Sequence, residues 1–281
     1  MKSFLIIIQE KDHLSKISNM NNKNLSIAII GNSKITKFLI DYLHNNKIKI
    51  KYLITLRNKH KYKITDPYVF KNEKIKIIYV DSYDLKDKKD YSELKKLNID
   101  FLLVFGWSRL IPKWLIKIAK KSTIGVHAGM FGPPRCRGRA VFNWSIILNF
   151  QKMTAYAMEL KPGVDDGDIF IKKKISISQQ DDINSLYLKN AIVSSEFFFK
   201  IIKYWNFFYK NKKSQNNKLA TYLPKRNPDD SFINWRQSSK EVYNFIRALK
   251  DPYPNAFTIH NNKKIYITEA IEFHYYNKSN F

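Results

Sequence analysis

One cysteine, Cys136, in 281 residues excludes an intrachain disulfide and suits a reducing compartment. No apolar run approaches the roughly 18 residues of a membrane-crossing helix. The short apolar start, MKSFLIIIQEKDH, meets charge too soon for a secretion signal, so a cytoplasmic protein without a membrane partner is expected. Eight glycines and nine prolines are too few for a fibrous or low-complexity chain. Arginine is also scarce, at eight residues against 42 lysines. The lysines lie scattered among Asn and Ile, as a genome-wide compositional bias would scatter them. A net charge of +26 therefore brings non-specific affinity for polyanions but does not by itself argue for a nucleic-acid partner. What is present is core material: 44% of residues are hydrophobic and 15% aromatic, enough for one large domain and a small appendage.

Short apolar runs recur at Ser26–Gly31, Ile50–Leu56, Lys74–Val80, Asp100–Trp107 and Thr123–Gly129, with helical stretches such as Pro112–Lys121 between them. That alternation predicts an α/β fold: a Rossmann-like, mostly parallel sheet with helices on both faces. Asp100–Trp107 is apolar throughout, as a strand buried on both faces should be. Thr154–Leu160 and Asp168–Ile177 continue the sheet, the latter with the alternation of an edge. GNSKITKF after the first strand lacks the G-x-G-x-x-G spacing of a dinucleotide site. A long amphipathic helix is expected over Ile183–Lys210. Residues 1–210 then form the main domain, with the first 24 unassigned, and the polar stretch 211–219 forms a linker. Residues 220–281 form a small α+β unit. Within it Ser238 and Glu241 have capping-box spacing, Val242, Phe245, Ile246 and Leu249 share a helical face, and NKKIYITEAIEFHYY adds one or two strands.

The chemistry concentrates between Gly125 and Ile169. His127 falls at the carboxyl end of an internal strand, the edge where open α/β sheets bind ligands. A neutral imidazole there can accept a proton from an attacking group. A satisfied core histidine is the plain alternative. Asp165, Asp166 and Asp168 surround Gly167, either as an exposed turn or as a source of one carboxylate that orients His127. Arg135, Arg137 and Arg139 alternate around Cys136 and Gly138, as a solvated loop or as a clamp for phosphate or carboxylate. Cys136 reads as a loop residue, with a thiol activated by its arginine neighbours as the alternative. No metal is expected, because His127 has no second histidine or cysteine at ligand spacing.

The run V-H-A-G-M-F-G-P-P-R-C-R-G-R-A, followed by N-W and G-V-D-D-G-D-I, resembles the folate-dependent formyltransferase family. The usual pattern there is N-x-H-x-S-L-L-P-x-x-R-G, then D-x-G-x-D-x-G-D-I. Phe105–Pro112 is similar to the family's folate-side loop, and PKRNPDDSFINW and IRALKDPYPNAF to its C-terminal unit. The resemblance implies an enzyme that moves a formyl group from N10-formyltetrahydrofolate to an amine. It makes His127 the catalytic base and Asp165 the aspartate that orients it. It places folate against Phe105, Gly106, Trp107, Arg109, Leu110, Ile111, Val164 and Asp166. The acceptor falls against Arg135, Arg137, Gly138, Arg139, Asn143 and Trp144.

One position departs from the pattern. The family's asparagine, two residues before the histidine, is Gly125 here. Its side-chain amide serves the formyl oxygen, so a backbone N–H, a water or Asn143 must replace it, or the chain binds without catalysing. Restoring Asn at Gly125 is expected to be tolerated. R-G-R-A-V-F-N-W and P-Y-P-N-A-F are most similar to members that formylate nucleotide-linked amino sugars, and the arginine loop suits a diphosphate. The sequence also ends soon after its first C-terminal strands, whereas the tRNA enzymes usually carry a longer barrel. Methionyl-tRNA is the second acceptor and the one that the positive charge favours. A homodimer is compatible with the sequence.

Overall fold

The computed structural model describes residues 25–63, 66–71 and 74–272. Seven strands form the main sheet: β1 (Ile27–Ile30), β2 (Tyr52–Leu56), β3 (Lys76–Val80), β4 (Ile99–Val104), β5 (Ala119–Gly129), β7 (Lys152–Glu159) and β8 (Ile169–Ser176). Their order is β3-β2-β1-β4-β5-β7-β8. The first five run parallel, and β7 and β8 add antiparallel at one side. A two-residue strand β6 (Arg137–Gly138) pairs with β9 (Tyr222–Leu223), and β10 (Ala256–His260) pairs with β11 (Lys263–Ile267). The helices are α1 (Lys34–Asn45), α2 (Lys88–Leu94), α3 (Lys113–Ile116), α4 (Val141–Ile147), α5 (Ile183–Lys203), α6 (Trp205–Asn211) and α7 (Ser239–Arg247). The α/β expectation therefore holds, including the small C-terminal strand unit. The first 24 residues, left unassigned, and the end of the expected C-terminal strand segment beyond residue 272 lie outside the described residues.

β1 and β4 are almost fully buried, because helices cover both faces of the sheet centre. One apolar cluster holds Ile27, Ile29, Phe101 and Leu103 with α1 and α5; the other holds Ala28, Ile30, Leu102 and Leu115. The turn after β1 is tied to the loop after β4: the Thr36 hydroxyl donates to the Phe105 carbonyl at 2.7 Å.

Two helices differ from expectation. The helix expected over Pro112–Lys121 stops at Ile116, because parallel pairing of β5 with β4 claims the chain from Ala119. The helix expected over Ile183–Lys210 breaks at Tyr204, where φ is −118° and ψ 40°. α5 starts on Asp182, whose carboxylate accepts from the N–H groups of Asn184 and Ser185 at 3.0 Å each. The Ser238–Glu241 capping box forms as expected and starts α7. Arg247 at the end of α7 is buried and donates to the carbonyls of Ser178 and Asp181, which ties the C-terminal unit to the turn before α5.

Asp181 is the fixed point of that turn. Burial pushes its carboxyl up, but Lys189 Nζ at 2.6 Å, the Ser178 N–H at 2.6 Å and the Ser185 hydroxyl at 2.9 Å outweigh it and hold the pKa at about 2. A depressed carboxyl pKa adds stability that is complete above the unfolded value, near 4, and disappears as pH falls toward 2. Asp181→Asn should therefore lose about 2 kcal/mol at pH 7. The gap to the parent protein should close between about pH 4 and pH 2. Denaturant unfolding at several pH values checks this; a gap independent of pH would contradict it.

Candidate active site

β5 is longer than β4 at its carboxyl end. Val104, the last residue of β4, pairs with Gly125, so Val126 to Gly129 run on beside the loop that starts at Phe105. On the other side β5 pairs antiparallel with β7, and His127 stands opposite Tyr156. Directly opposed residues share a face, so the two rings meet edge to face with centroids 5.6 Å apart. The His127 side chain is 10% exposed.

Both nitrogens of His127 face oxygen. Nε2 lies 2.9 Å from the Cys136 carbonyl, and Nδ1 lies 3.6 Å from Asp165 Oδ2. The second distance is an ion-pair contact rather than a formed hydrogen bond. An imidazolium has an acceptor for each N–H in this arrangement. A neutral ring gives up one contact, which leaves a nitrogen lone pair free to accept a proton.

Asp165 reaches this position from an unusual backbone. Its φ is +48°, a left-handed conformation that costs a non-glycine residue of order 1 kcal/mol or more. Three contacts hold it there. Gly138 N–H donates to its Oδ2 at 2.9 Å, and His127 faces the same oxygen. The Gln215 amide donates to its carbonyl oxygen at 2.9 Å and to that of Gly167 at 2.7 Å.

The three arginines of the loop separate. Arg135 and Arg139 are exposed, whereas Arg137 is only 1% exposed. Positive φ at Cys136 (+61°) and Gly138 (+98°) breaks the alternation that would have put all three on one side. Arg137 Nη2 donates to Gln215 Oε1 at 2.9 Å and to Asn217 Oδ1 at 2.7 Å. The expected acceptor clamp is therefore reduced to Arg135 and Arg139, with Arg137 as an internal brace. Gly138 likewise gives its N–H to Asp165. Asn143 is buried and donates to the Ala248 carbonyl at 2.8 Å, so its amide is not free to replace the missing asparagine. Trp144 donates to the Pro224 carbonyl at 3.0 Å, and its ring carries the Arg226 guanidinium at 4.9 Å. Both residues dock the C-terminal unit onto α4. Cys136 is a buried loop residue whose carbonyl, not its thiol, meets His127.

The folate-side residues divide by burial. Phe105, Trp107 and Ile111 are buried, and Arg109 and Leu110 are exposed. Gly106 takes φ +78°, and a Cβ there would strike Ser33 Oγ at 2.2 Å. Arg109 lies over the Tyr83 ring at 5.1 Å, and Tyr83 packs edge to face on Trp107. Val164 and Asp166 are half-buried on the acidic turn.

Three participating residues gave no signal in the sequence. Tyr156 is fully buried beside His127, and its hydroxyl has no partner among the described residues. Burial, then the Asp165 charge, pushes its phenol well above the ordinary value. Gln215 sits in the stretch expected to be a plain linker. Leu160 lies over Gly125: a Cβ on that glycine would meet Leu160 Cδ2 at 2.6 Å.

Residues 23–202 match the formyl transferase family model, and residues 225–279 match the formyl transferase C-terminal domain. The chain belongs to the formyl transferase family. It is 31% identical over 191 residues to methionyl-tRNA formyltransferase of Thermodesulfovibrio yellowstonii, covering 67% of this chain and 60% of that protein. The chain thus spans about 60% of the length of the curated methionyl-tRNA formyltransferases that it matches. The fold is shared with methionyl-tRNA formyltransferase from Clostridium thermocellum, at TM-score 0.67 and 18% identity over 89% of this chain and 94% of that one. It is shared too with WlaRD, a sugar 3N-formyl transferase crystallised with dTDP and 5-N-formyl-THF, at TM-score 0.60 and 20% identity over 86% and 84% of the two chains.

The position of Leu160 bears on the expectation that asparagine would be tolerated at Gly125, because Leu160 must move to make room. The neighbour is the flexible end of a leucine, but β5 is buried there and overpacking costs about 1–3 kcal/mol. Gly125→Asn alone should lower stability by that amount, and adding Leu160→Ala should recover most of it. Denaturant unfolding of the single and double variants decides; equal stabilities would mean that Leu160 does not hold the space.

Proposed function

We propose that this protein transfers a formyl group from N10-formyltetrahydrofolate to the amine of a nucleotide-linked amino sugar. The observation that carries the reading is the His127–Asp165 pair, 3.6 Å apart beyond the carboxyl end of β4, in a chain of the formyl transferase family.

The reaction forms a C–N bond to the acceptor amine and breaks the C–N10 bond of the donor. The attacking nitrogen must lose a proton, and the leaving nitrogen must gain one. His127 takes the proton as general base, and the resulting imidazolium is received by the Cys136 carbonyl and Asp165. Asp165 fixes the ring and stabilises its charge. With glycine at 125 no side-chain amide serves the developing oxyanion, and the positive charge of the protonated ring is what remains nearby to stabilise it.

The loops fit a folate by their unpaired groups. Trp107 Nε1 and Asp166 Oδ1 are both buried without partners among the described residues, one a donor and one an acceptor. A pterin ring presents both kinds of group. Phe105–Ile111 and Val164–Asp166 would hold it, and the bound donor supplies the formyl carbon. Exposed Arg135 and Arg139 are left for an anionic acceptor, and guanidinium suits the paired oxygens of a diphosphate.

Methionyl-tRNA is the second reading, favoured by the 31% identity to a methionyl-tRNA formyltransferase. An acceptor screen with formyltetrahydrofolate, several amino-sugar nucleotides and methionyl-tRNA separates the two. Formylation of a sugar amine with no tRNA product supports the first. Formylated methionyl-tRNA supports the second. Folate binding without turnover on any acceptor supports a binding protein. His127→Asn and Asp165→Asn should each lower kcat by roughly 10²–10⁴. Full turnover by either variant would refute its assigned role.

A further inference from the structure

The polar segment between α6 and β9 is built into the site. Its start is fastened to the sheet edge: Lys213 and Ile169 exchange backbone hydrogen bonds at 2.8 and 2.9 Å, and Lys212 pairs with Glu159. Two residues later it delivers Gln215 to the acidic turn. Further on, the Thr221 carbonyl accepts from Arg137 N–H at 2.9 Å, and its hydroxyl accepts from Cys136 N–H at 3.0 Å. One strap therefore reaches both sides of His127: Asp165 through Gln215, and the Cys136 carbonyl through Thr221.

The chemistry of Arg137 decides how Gln215 points. A guanidinium has donors only, so the amide oxygen of Gln215 must face it. The amide nitrogen is then turned to the other side, where its two hydrogens meet the carbonyls of Asp165 and Gly167. Every polar atom of the Gln215 side chain has a partner, and the order of dependence runs from Arg137 through Gln215 and Asp165 to His127.

We propose that Gln215 is a positioning residue for formyl transfer: its amide fixes the left-handed backbone of Asp165 so that the carboxylate faces His127. The inference rests on the His127–Asp165 reading above. The polar atoms of the Gln215 side chain are all engaged within the protein, so its effect falls on kcat rather than on KM.

Gln215→Glu separates positioning from folding. A glutamate keeps an acceptor for Arg137, and adds a charge to pair with it, but loses both donors to the turn. Unfolding temperature should stay close to the parent value. Amide hydrogen exchange over residues 163–168, measured on the protein alone, should accelerate at least about tenfold. With the acceptor found in the screen, kcat should fall about 10- to 100-fold, with both KM values within about threefold. In an Asp165→Asn background the same change should alter kcat by less than about twofold. Gln215→Ala serves as a second variant and should show the same exchange and kcat pattern. Unchanged exchange, or parental kcat in Gln215→Glu while Asp165→Asn is impaired, overturns the role of Gln215 and leaves the catalytic pair standing. Full turnover in Asp165→Asn overturns the pair, and the role of Gln215 with it.

Discussion

The site depends on holding one carboxylate in a backbone conformation that it would not choose alone. Asp165 sits at φ +48°, and its oxygens and carbonyl are met by groups from three distant parts of the chain. Gly138 comes from the arginine loop, His127 from β5 and Gln215 from the strap after α6. No two of these are neighbours in sequence, so the contacts depend on tertiary structure rather than on a local motif. A local strain of this kind persists only where surrounding structure over-determines it, and here each restraint also serves a second purpose. Gly138 continues into β6, Gln215 accepts from Arg137, and His127 is anchored again by Cys136.

The antiparallel pairing of β5 with β7 supplies the floor. Same-face register puts Tyr156 against His127 and Met158 opposite Gly125, while Leu160 folds over the glycine. The place where the family pattern carries an amide is therefore filled by hydrocarbon. A less polar wall removes one hydrogen-bond donor, and charge interactions grow stronger as local dielectric falls. In the proposed mechanism the charge of the imidazolium, reinforced by Asp165, then carries the stabilisation of the oxyanion. The unpaired Tyr156 hydroxyl belongs to this floor; burial keeps it protonated, so it is a neutral dipole beneath the ring rather than a competing base.

What could be read from the sequence followed from locality. The strands were legible because each carries its own hydrophobic period, and the Ser238–Glu241 cap because its whole logic spans four residues. His127 and Asp165 were legible because each sits in a dense motif. The errors came where tertiary pairing overrode local preference. Lys117–Lys121 look helical, but β4 recruits the chain from Ala119 onward. Arg137 alternates with two exposed arginines, but two positive-φ residues flank it and turn it inward. Asn143 and Trp144 stand in a motif that suggests ligand contact, yet α4 needs them to meet Ala248 and Pro224. Gln215 had no local signature at all: a glutamine among Lys, Ser and Asn acquires meaning only from what it faces.

These contacts also change how the C-terminal unit should be understood. A sequence division into domain, linker and appendage suggests parts that act separately. The hydrogen bonds run otherwise: Arg247 grips the turn before α5, Asn143 grips the end of α7, and the strap between them carries the brace for Asp165. The C-terminal unit is joined to the brace around Gln215 through Thr221 and β9, because β9 pairs directly with the strand that holds Arg137, and Arg137 in turn donates to Gln215.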